Sequence, residues 1–344
     1  MTTQKQSKIA LIGTDSMRGK EMKNVLERGD LPFGDIAFYD PDVEEEYSKL
    51  TQFRREARVI HSLDLEKISK SDIVFLAAEK NINKKYGDQA KENNFRAIDL
   101  SETYNKDINV PLVVPGVNEN EILKRKPALV ANPHPVAIMS SHFFHVLLRS
   151  KELKKAIAFV LQPVSAYEEP GIKELASQSM DMLSSASVKK KVFKTQVAFN
   201  LLSQTETLDK NGFSGAEKQI VSEVKRILNK NRLPFTLSLV QAPVFHTYAV
   251  MMYFELKERS SIKELLQIFT QSSYFKPFSS RISSPASSIS VAGEDKIHIG
   301  QMKKDTAITN GFWVWMIADN LRSGSVLNAL EVAERMVLPE SKVK

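Results

Sequence analysis

The chain contains no cysteine in its 344 residues. That single absence excludes disulfides, thiolate metal centres and a cysteine nucleophile together. Long apolar runs are missing too, since nothing approaches the roughly 18 consecutive apolar residues that a membrane helix needs. The opening "MTTQKQSK" is polar and leads straight into a strand-like stretch. No signal peptide is expected, and the expectation is a cytoplasmic protein with no membrane partner. Concentrated charge of one sign is also scarce. The formal charge is +7, yet only Lys189, Lys190 and Lys191 form a compact basic run. Such dispersed charge reads as a solvated surface, and no nucleic-acid partner is expected. No internal repeat is visible.

What is present is ordinary for a globular chain of two domains: 42% hydrophobic and 26% charged residues over 344 positions. The stretch "KIALIG" from Lys8 to Gly13 is a short apolar run ending in glycine, and Met17, Met22, Val25 and Leu26 then recur at helical spacing until Gly29 and Pro32. Further apolar runs at 35–40, 72–78 and 96–101 are separated by polar or helical segments. This is the pattern of a parallel sheet with crossover helices, so the first third is expected to form a Rossmann-like α/β domain. The Ser-rich segment from Phe278 to Ser290 is expected to be a loop or flexible connection.

The first turn places Gly13, Ser16 and Gly19 where a dinucleotide fingerprint has three glycines. Those glycines allow the tight turn, the backbone's approach to a pyrophosphate, and the packing of helix on strand. Ser16 takes the middle, ligand-facing place. Two readings stay open: a turn that binds a nucleotide weakly or formerly did, and a pair of purely structural glycines. Asp40 ends the second expected strand, where an acidic side chain bonds a ribose 2′-hydroxyl and repels a 2′-phosphate. Asp42, Glu44, Glu45 and Glu46 follow it, and for the glutamates a solvated loop is the simpler account.

From Asp99 onward the segments "SETYNKDINVPLVVPGVN", "LVANPHPVAI", "VLQPVSAYEEPGIKEL", "VAFNLLSQ", "GFSGAEKQIVSEVKRIL", "VQAPVFHTYAV" and "IADNLRSGSVLNALEVAE" occur in order. In that order they resemble the aspartate-semialdehyde dehydrogenase family over nearly the whole chain, and within it the Usg-type paralogues that lack the catalytic cysteine. The resemblance implies a Rossmann-like NAD(P)-binding-type domain over residues 1–133 plus 321–344. It also implies a central α+β domain over 134–320, with the active-site frame and a homodimer interface. Enzymes of that family form a thioester on a cysteine, with a histidine moving the proton, a glutamine positioning the reacting group, and two arginines, a lysine and a glutamate holding the substrate.

Carried over residue by residue, the cysteine position is Pro135, which suits the first turn of a helix but is no nucleophile. The histidine position is Tyr248. The arginines fall on Asn105 and Gln241, the glutamate on Ala216 and the lysine on Gln219, while the glutamine remains as Gln162. Amides cannot reproduce the two-pronged charged grip of arginine on a phosphate or carboxylate. The start of the last helix lies near the nicotinamide in the active enzymes; here Asn320 and Asn328 remain, while a lysine-like position is Ser323 and a glutamine position is Glu331. These departures imply a catalytically impaired paralogue that acts as a dimeric binding or regulatory protein. They also imply no firmly held cofactor, with NAD at most weakly bound through Gly13, Ser16, Gly19, Asp40 and Asn320.

The alternative is an NAD(P)-dependent oxidoreductase on another substrate that needs no thioester, working through His134, His246 and Tyr248. Those histidines also read as satisfied or solvent-facing side chains. His142 and His145 stand three apart on an expected helix with no further ligand nearby, so no metal site is expected. Ser140 and Ser141 lack an identifiable base.

Overall fold

A computed structural model describes residues 7–28, 33–44, 49–203, 205–278 and 285–337. Glu45, Glu46 and the stretch 279–284 lie outside the described residues. The chain divides into two compact units, 1–134 with 325–344, and 135–324.

The first unit is a seven-stranded sheet of β1 (Ser7–Ile12), β2 (Phe33–Tyr39), β3 (Lys49–Phe53), β4 (Glu56–His61), β5 (Ile73–Leu76), β6 (Arg96–Asp99) and β7 (Leu129–Ala131), in the order β3-β4-β2-β1-β5-β6-β7. The pairs from β4 through to β7 are parallel, and β3 alone runs antiparallel at the edge. Alternation along the strands explains the layering. Ile9 and Leu11 of β1, with Ile73 and Phe75 of β5, enter one core; Ala10, Ile12, Val74 and Leu76 enter another. Because successive side chains point to opposite faces, a strand that is apolar at every position must be covered on both. The helices are α1 (Met17–Arg28), α2 (Leu65–Ile68), α3 (Lys80–Asp88) and α4 (Asn120–Arg125). Met22, Val25 and Leu26 of α1 fill the first core, and Ile68 of α2 and Tyr86 of α3 the second.

The second unit is a six-stranded sheet of β8 (Leu153–Gln162), β9 (Phe235–Gln241), β10 (Tyr248–Leu256), β11 (Phe275–Phe278), β12 (Ile297–Lys304) and β13 (Gly311–Ala318), in the order β11-β12-β13-β10-β8-β9. Three of its pairings are antiparallel, while β8 with β9 and β11 with β12 are parallel. Its helices are α5 (Pro135–Leu147), α6 (Glu168–Leu183), α7 (Gly215–Ile227), α8 (Ile262–Thr270) and the short α9 (Ser288–Val291). Phe143 of α5 stacks on Phe269 of α8 and meets Phe254 of β10 edge-on, and Phe144 meets Phe235 of β9. The helices therefore cover one face of the sheet. On the other face Ile157 and Phe159 of β8 remain 39% and 54% exposed, with Met251 paired beside Phe159 and Trp315 beyond it. A last helix, α10 (Leu327–Val337), returns to the first unit and places Ala329, Leu330, Val332 and Ala333 in its first core.

The Ser-rich stretch differs from the sequence expectation at its end. Ser287 caps α9, accepting from the Ser290 backbone N–H, so Ser288–Val291 are helical rather than loop. Among the described residues no helix is long and apolar enough to cross a membrane.

Candidate functional site

In the first unit the strand-turn-helix after β1 is tight. Gly13 has φ +85°, a region that costs glycine little, and a Cβ there would overlap the Ala78 backbone. A Cβ on Gly19 would run into the Gly13 carbonyl. Both glycines are thus required by close backbone approach alone. Ser16 has a role the sequence did not reveal. Its hydroxyl accepts from the Gly19 N–H at 2.9 Å, capping the start of α1 with the chain's own oxygen. That N–H is one of the donors a phosphate would otherwise take.

Asp40 is buried, and its two carboxylate oxygens accept from the backbone N–H groups of Asp15 at 3.0 Å and Asp42 at 3.3 Å. Lys49, at the start of β3, pairs with Asp15. Its ammonium is held above the ordinary lysine value first by the bond to Asp15, with Asp40 and Asp42 adding, against some loss from desolvation. The Gly19 N–H and the Asp40 carboxylate are thus already engaged within the protein.

Asn105 sits on the loop after β6, which buried Asp99 anchors by accepting from Ser101, Thr103 and Tyr104 N–H groups and from Asn83 Nδ2. Asn105 is itself buried, and its Nδ2 donates to the Asn132 carbonyl at 3.3 Å. Asn132 in turn accepts from Asn328 Nδ2 at 2.8 Å and donates to Ser325. Asn105 and Asn328 therefore belong to a ladder of amides inside the first unit.

In the second unit Pro135 is the first residue of α5, where a missing N–H costs nothing because no helical carbonyl precedes it. Gly324 packs on it: a Cβ added at Gly324 would stand 2.9 Å from Pro135 Cβ and 3.1 Å from the Asp319 carbonyl. Gly324 lies in the one π-helical turn among the described residues, Arg322–Val326. Asp319 holds that turn, accepting from Leu321 N–H at 2.8 Å and Arg322 N–H at 2.9 Å.

Gln162, Gln241 and Tyr248 come together. Gln162 Nε2 donates to Gln241 Oε1 at 3.1 Å, and the Tyr248 hydroxyl donates to Gln162 Oε1 at 3.3 Å. Gln241 Nε2 donates to the backbone carbonyls of Gln162 and Ala242, both at 3.0 Å. All three side chains are buried, so this is a neutral network in which donors meet acceptors inside the protein. Gln219 lies on α7 and donates to Glu223 at 2.8 Å. Ala216, in the first turn of the same helix, gives its backbone N–H to Glu206.

Asn320 is not a free side chain. Its Oδ1 accepts from Thr247 N–H at 2.9 Å and from Ser165 Oγ at 3.2 Å. Thr247 has φ +75°, unusual for a β-branched residue, and Asn320 holds it there directly before Tyr248. Sequence reasoning missed Ser165 and Thr247, and no local pattern signals them. It also missed Glu206 and Glu217; for Glu217 the signal existed, since Ser214 and Glu217 are spaced as a capping box and form one.

Ser140 and Ser141 are fully buried inside α5. His142 is stacked on Tyr274 with ring centroids 4.0 Å apart, and burial, helped by neighbouring His145, pushes it down to about 3. His134 and His246 fall in different units. Among the described residues no group of three or more histidines, cysteines, aspartates or glutamates is arranged to hold a metal ion.

A dinucleotide-type α/β unit joined to an α+β unit with a helix start at its head defines the class as a two-domain dehydrogenase fold. The family models agree. The semialdehyde dehydrogenase NAD binding domain matches residues 8–125, and the semialdehyde dehydrogenase dimerisation domain matches residues 118–323. The chain belongs to the semialdehyde dehydrogenase family. It is 26% identical to an aspartate-semialdehyde dehydrogenase of Rickettsia conorii over 335 residues, covering 97% of this chain and 98% of that protein. Among solved structures it is similar to aspartate semialdehyde dehydrogenase II of Vibrio cholerae complexed with ASA, at 24% identity and a TM-score of 0.90, covering 97% of this chain and 99% of that one. It is also similar to the Candida albicans enzyme with NADP, at 13% identity and a TM-score of 0.71, covering 96% and 98%. These two likenesses show the fold.

Proposed function

We propose that this protein is a semialdehyde dehydrogenase relative, of the Usg type, that no longer performs the thioester reaction and acts as a homodimeric binding or regulatory protein. The observation that carries the reading is Pro135 at the head of α5, in a chain without any cysteine. A nucleophile cannot be recruited there from a ring carbon. The remaining relic positions support the same reading because their side chains serve the protein itself: Asn105 the Asn132 carbonyl, Gln241 the Gln162 and Ala242 carbonyls, Gln219 its helical neighbour Glu223.

The alternative oxidoreductase would need Tyr248 or a histidine to move protons. Tyr248 is buried with its hydroxyl on Gln162, which favours a structural role. The direct test is turnover with aspartate semialdehyde, phosphate and either NAD or NADP, which is expected to stay at background.

Weak dinucleotide binding with NAD preferred follows from the first turn. Ser16 already fills the Gly19 N–H, and around the ribose position one ammonium, Lys49, stands against Asp15, Asp40 and Asp42. One positive charge against three negative ones repels a 2′-phosphate. Fluorescence titration is expected to give NADH the lower dissociation constant; a tighter NADPH would show that Asp40 does not face the ribose.

A further inference from the structure

The second unit carries a cleft of about 490 Å³ at the end of its sheet remote from the relic side chains. Its walls come from two helix-to-strand turns, 148–152 between α5 and β8 and 228–234 between α7 and β9. β8 and β9 are parallel neighbours, with Ala156 paired to Phe235, so the two turns lie side by side. Asn229, at φ +51°, ends α7, and the Leu233 N–H donates to the Lys230 carbonyl at 2.9 Å, which fixes the second turn. Gln162 is the last of the ten residues of β8, which sets the cleft about 30 Å from the relic network at an ordinary strand rise.

Size and chemistry both point to a ligand. Small-molecule sites enclose roughly 300 to 1,000 Å³. The recess beside Gln162 and Gln241 holds only about 70 Å³ by the same measure, room for a few waters. Leu148, Leu153, Leu233 and Pro234 give the cleft an apolar wall, and Lys230 and Arg232 line it as exposed side chains. Lys151 and Glu152 also line it, but they are neutralised, the first by Glu264 and the second by Lys257 at 2.8 Å. Among the described residues no acidic partner engages Lys230 or Arg232. Both α5 and α7 end here, and each helix end brings about half a negative charge. Two unpaired cations outweigh that, and the balance stays positive. Complementing the helix ends would account for the cations alone; it leaves unexplained an apolar wall of ligand size beside them.

We propose that this cleft binds a small carboxylate with a hydrocarbon tail, the carboxylate on Lys230 and Arg232 and the tail along Leu148, Leu153 and Leu233. Arg232 offers a planar two-pronged grip and Lys230 a mobile point charge. The assignment is independent of the relic site: it holds or fails whether or not the chain has kept thioester chemistry.

The test titrates octanoate, hexanoate, octylamine and octan-1-ol calorimetrically into the full chain. Octanoate is expected to bind at one site per chain, at least tenfold more tightly than octylamine or octan-1-ol. Each methylene buried along an apolar wall tightens binding about two- to fourfold, so octanoate is expected to exceed hexanoate at least fourfold. Lys230→Gln with Arg232→Gln, both at exposed positions, is expected to weaken octanoate at least tenfold and to leave octan-1-ol unchanged, with the thermal midpoint retained as the check of folding. Undetectable octanoate binding overturns the proposal, as does binding no tighter than that of octylamine or octan-1-ol, a missing gain over hexanoate, or affinity untouched by the double variant. The comparison among the four probes needs no variant and decides the matter even if the double variant unfolds.

Discussion

At the scale of single residues, three of the four positions where the resemblance implies a substrate clamp carry amides with partners inside the protein, Asn105, Gln219 and Gln241, and the fourth is Ala216. A buried arginine without its anion would be an uncompensated charge, whereas an amide carries none, and Gln241 meets partners of its own at both ends. Pro135 and Gly324 form a comparable pair, each shaped by the other. Gly324→Ala places a methyl 2.9 Å from Pro135 Cβ and is expected to cost about 1–3 kcal/mol by overpacking, read as a lower midpoint in thermal or urea unfolding. An unchanged midpoint would mean that the π turn and the start of α5 give way freely. His142 supplies a pH-dependent term. Its folded value lies near 3, below the unfolded value of about 6.5, so the unfolded chain binds the extra proton between those limits and stability falls as pH drops through that window. The loss between roughly pH 7.5 and pH 5.5 is on the order of 1 kcal/mol for this one group. His142→Phe keeps an aromatic ring against Tyr274 and is expected to flatten that slope; an identical slope in the variant would assign it elsewhere.

At the scale of elements, the apolar runs at 8–13, 35–40, 72–78 and 96–101 correspond to β1, β2, β5 and β6 because each is bounded by turn residues and buried on both faces. The hairpin of β3 and β4 was not legible. Only Phe53 of β3 is buried and Leu50 stays 63% exposed, so the strand has no apolar pattern to read, yet it brings Lys49 to Asp15. The start of α5 at Pro135 was readable from the preference of proline for a first helical turn. The engagement of Asn320 with Ser165 and Thr247 was not, because contacts across 155 and 73 residues leave no local spacing. The open face of the second sheet carries its own prediction. Phe159, Ile157 and Met251 form an apolar strip that only another surface can cover, and a second copy of the chain is the proposed partner. Phe159→Glu is expected to convert a dimer to a monomer in light scattering with its circular dichroism unchanged. A dimer that tolerates that charge would place the interface elsewhere.

At the scale of the whole molecule, the family's two-domain frame is present in a chain without any cysteine, and the loss of the family's reacting groups is the proposed reading. Groups that act as a unit in catalysis are strongly non-additive, and removal of a nucleophile costs up to about a million-fold. Restoring one or two of them therefore gains little while the others are missing. Phosphate-dependent reduction of NADP with aspartate semialdehyde, measured on the unmodified chain and on the Pro135→Cys, Tyr248→His double variant, tests the central claim most directly. Both proteins are expected to remain at background, the second because Asn105, Ala216, Gln219 and Gln241 provide no charged grip on the substrate. Turnover above background in the unmodified protein would contradict the loss of thioester chemistry, and substantial turnover in the double variant would show that the grip on the substrate was never lost.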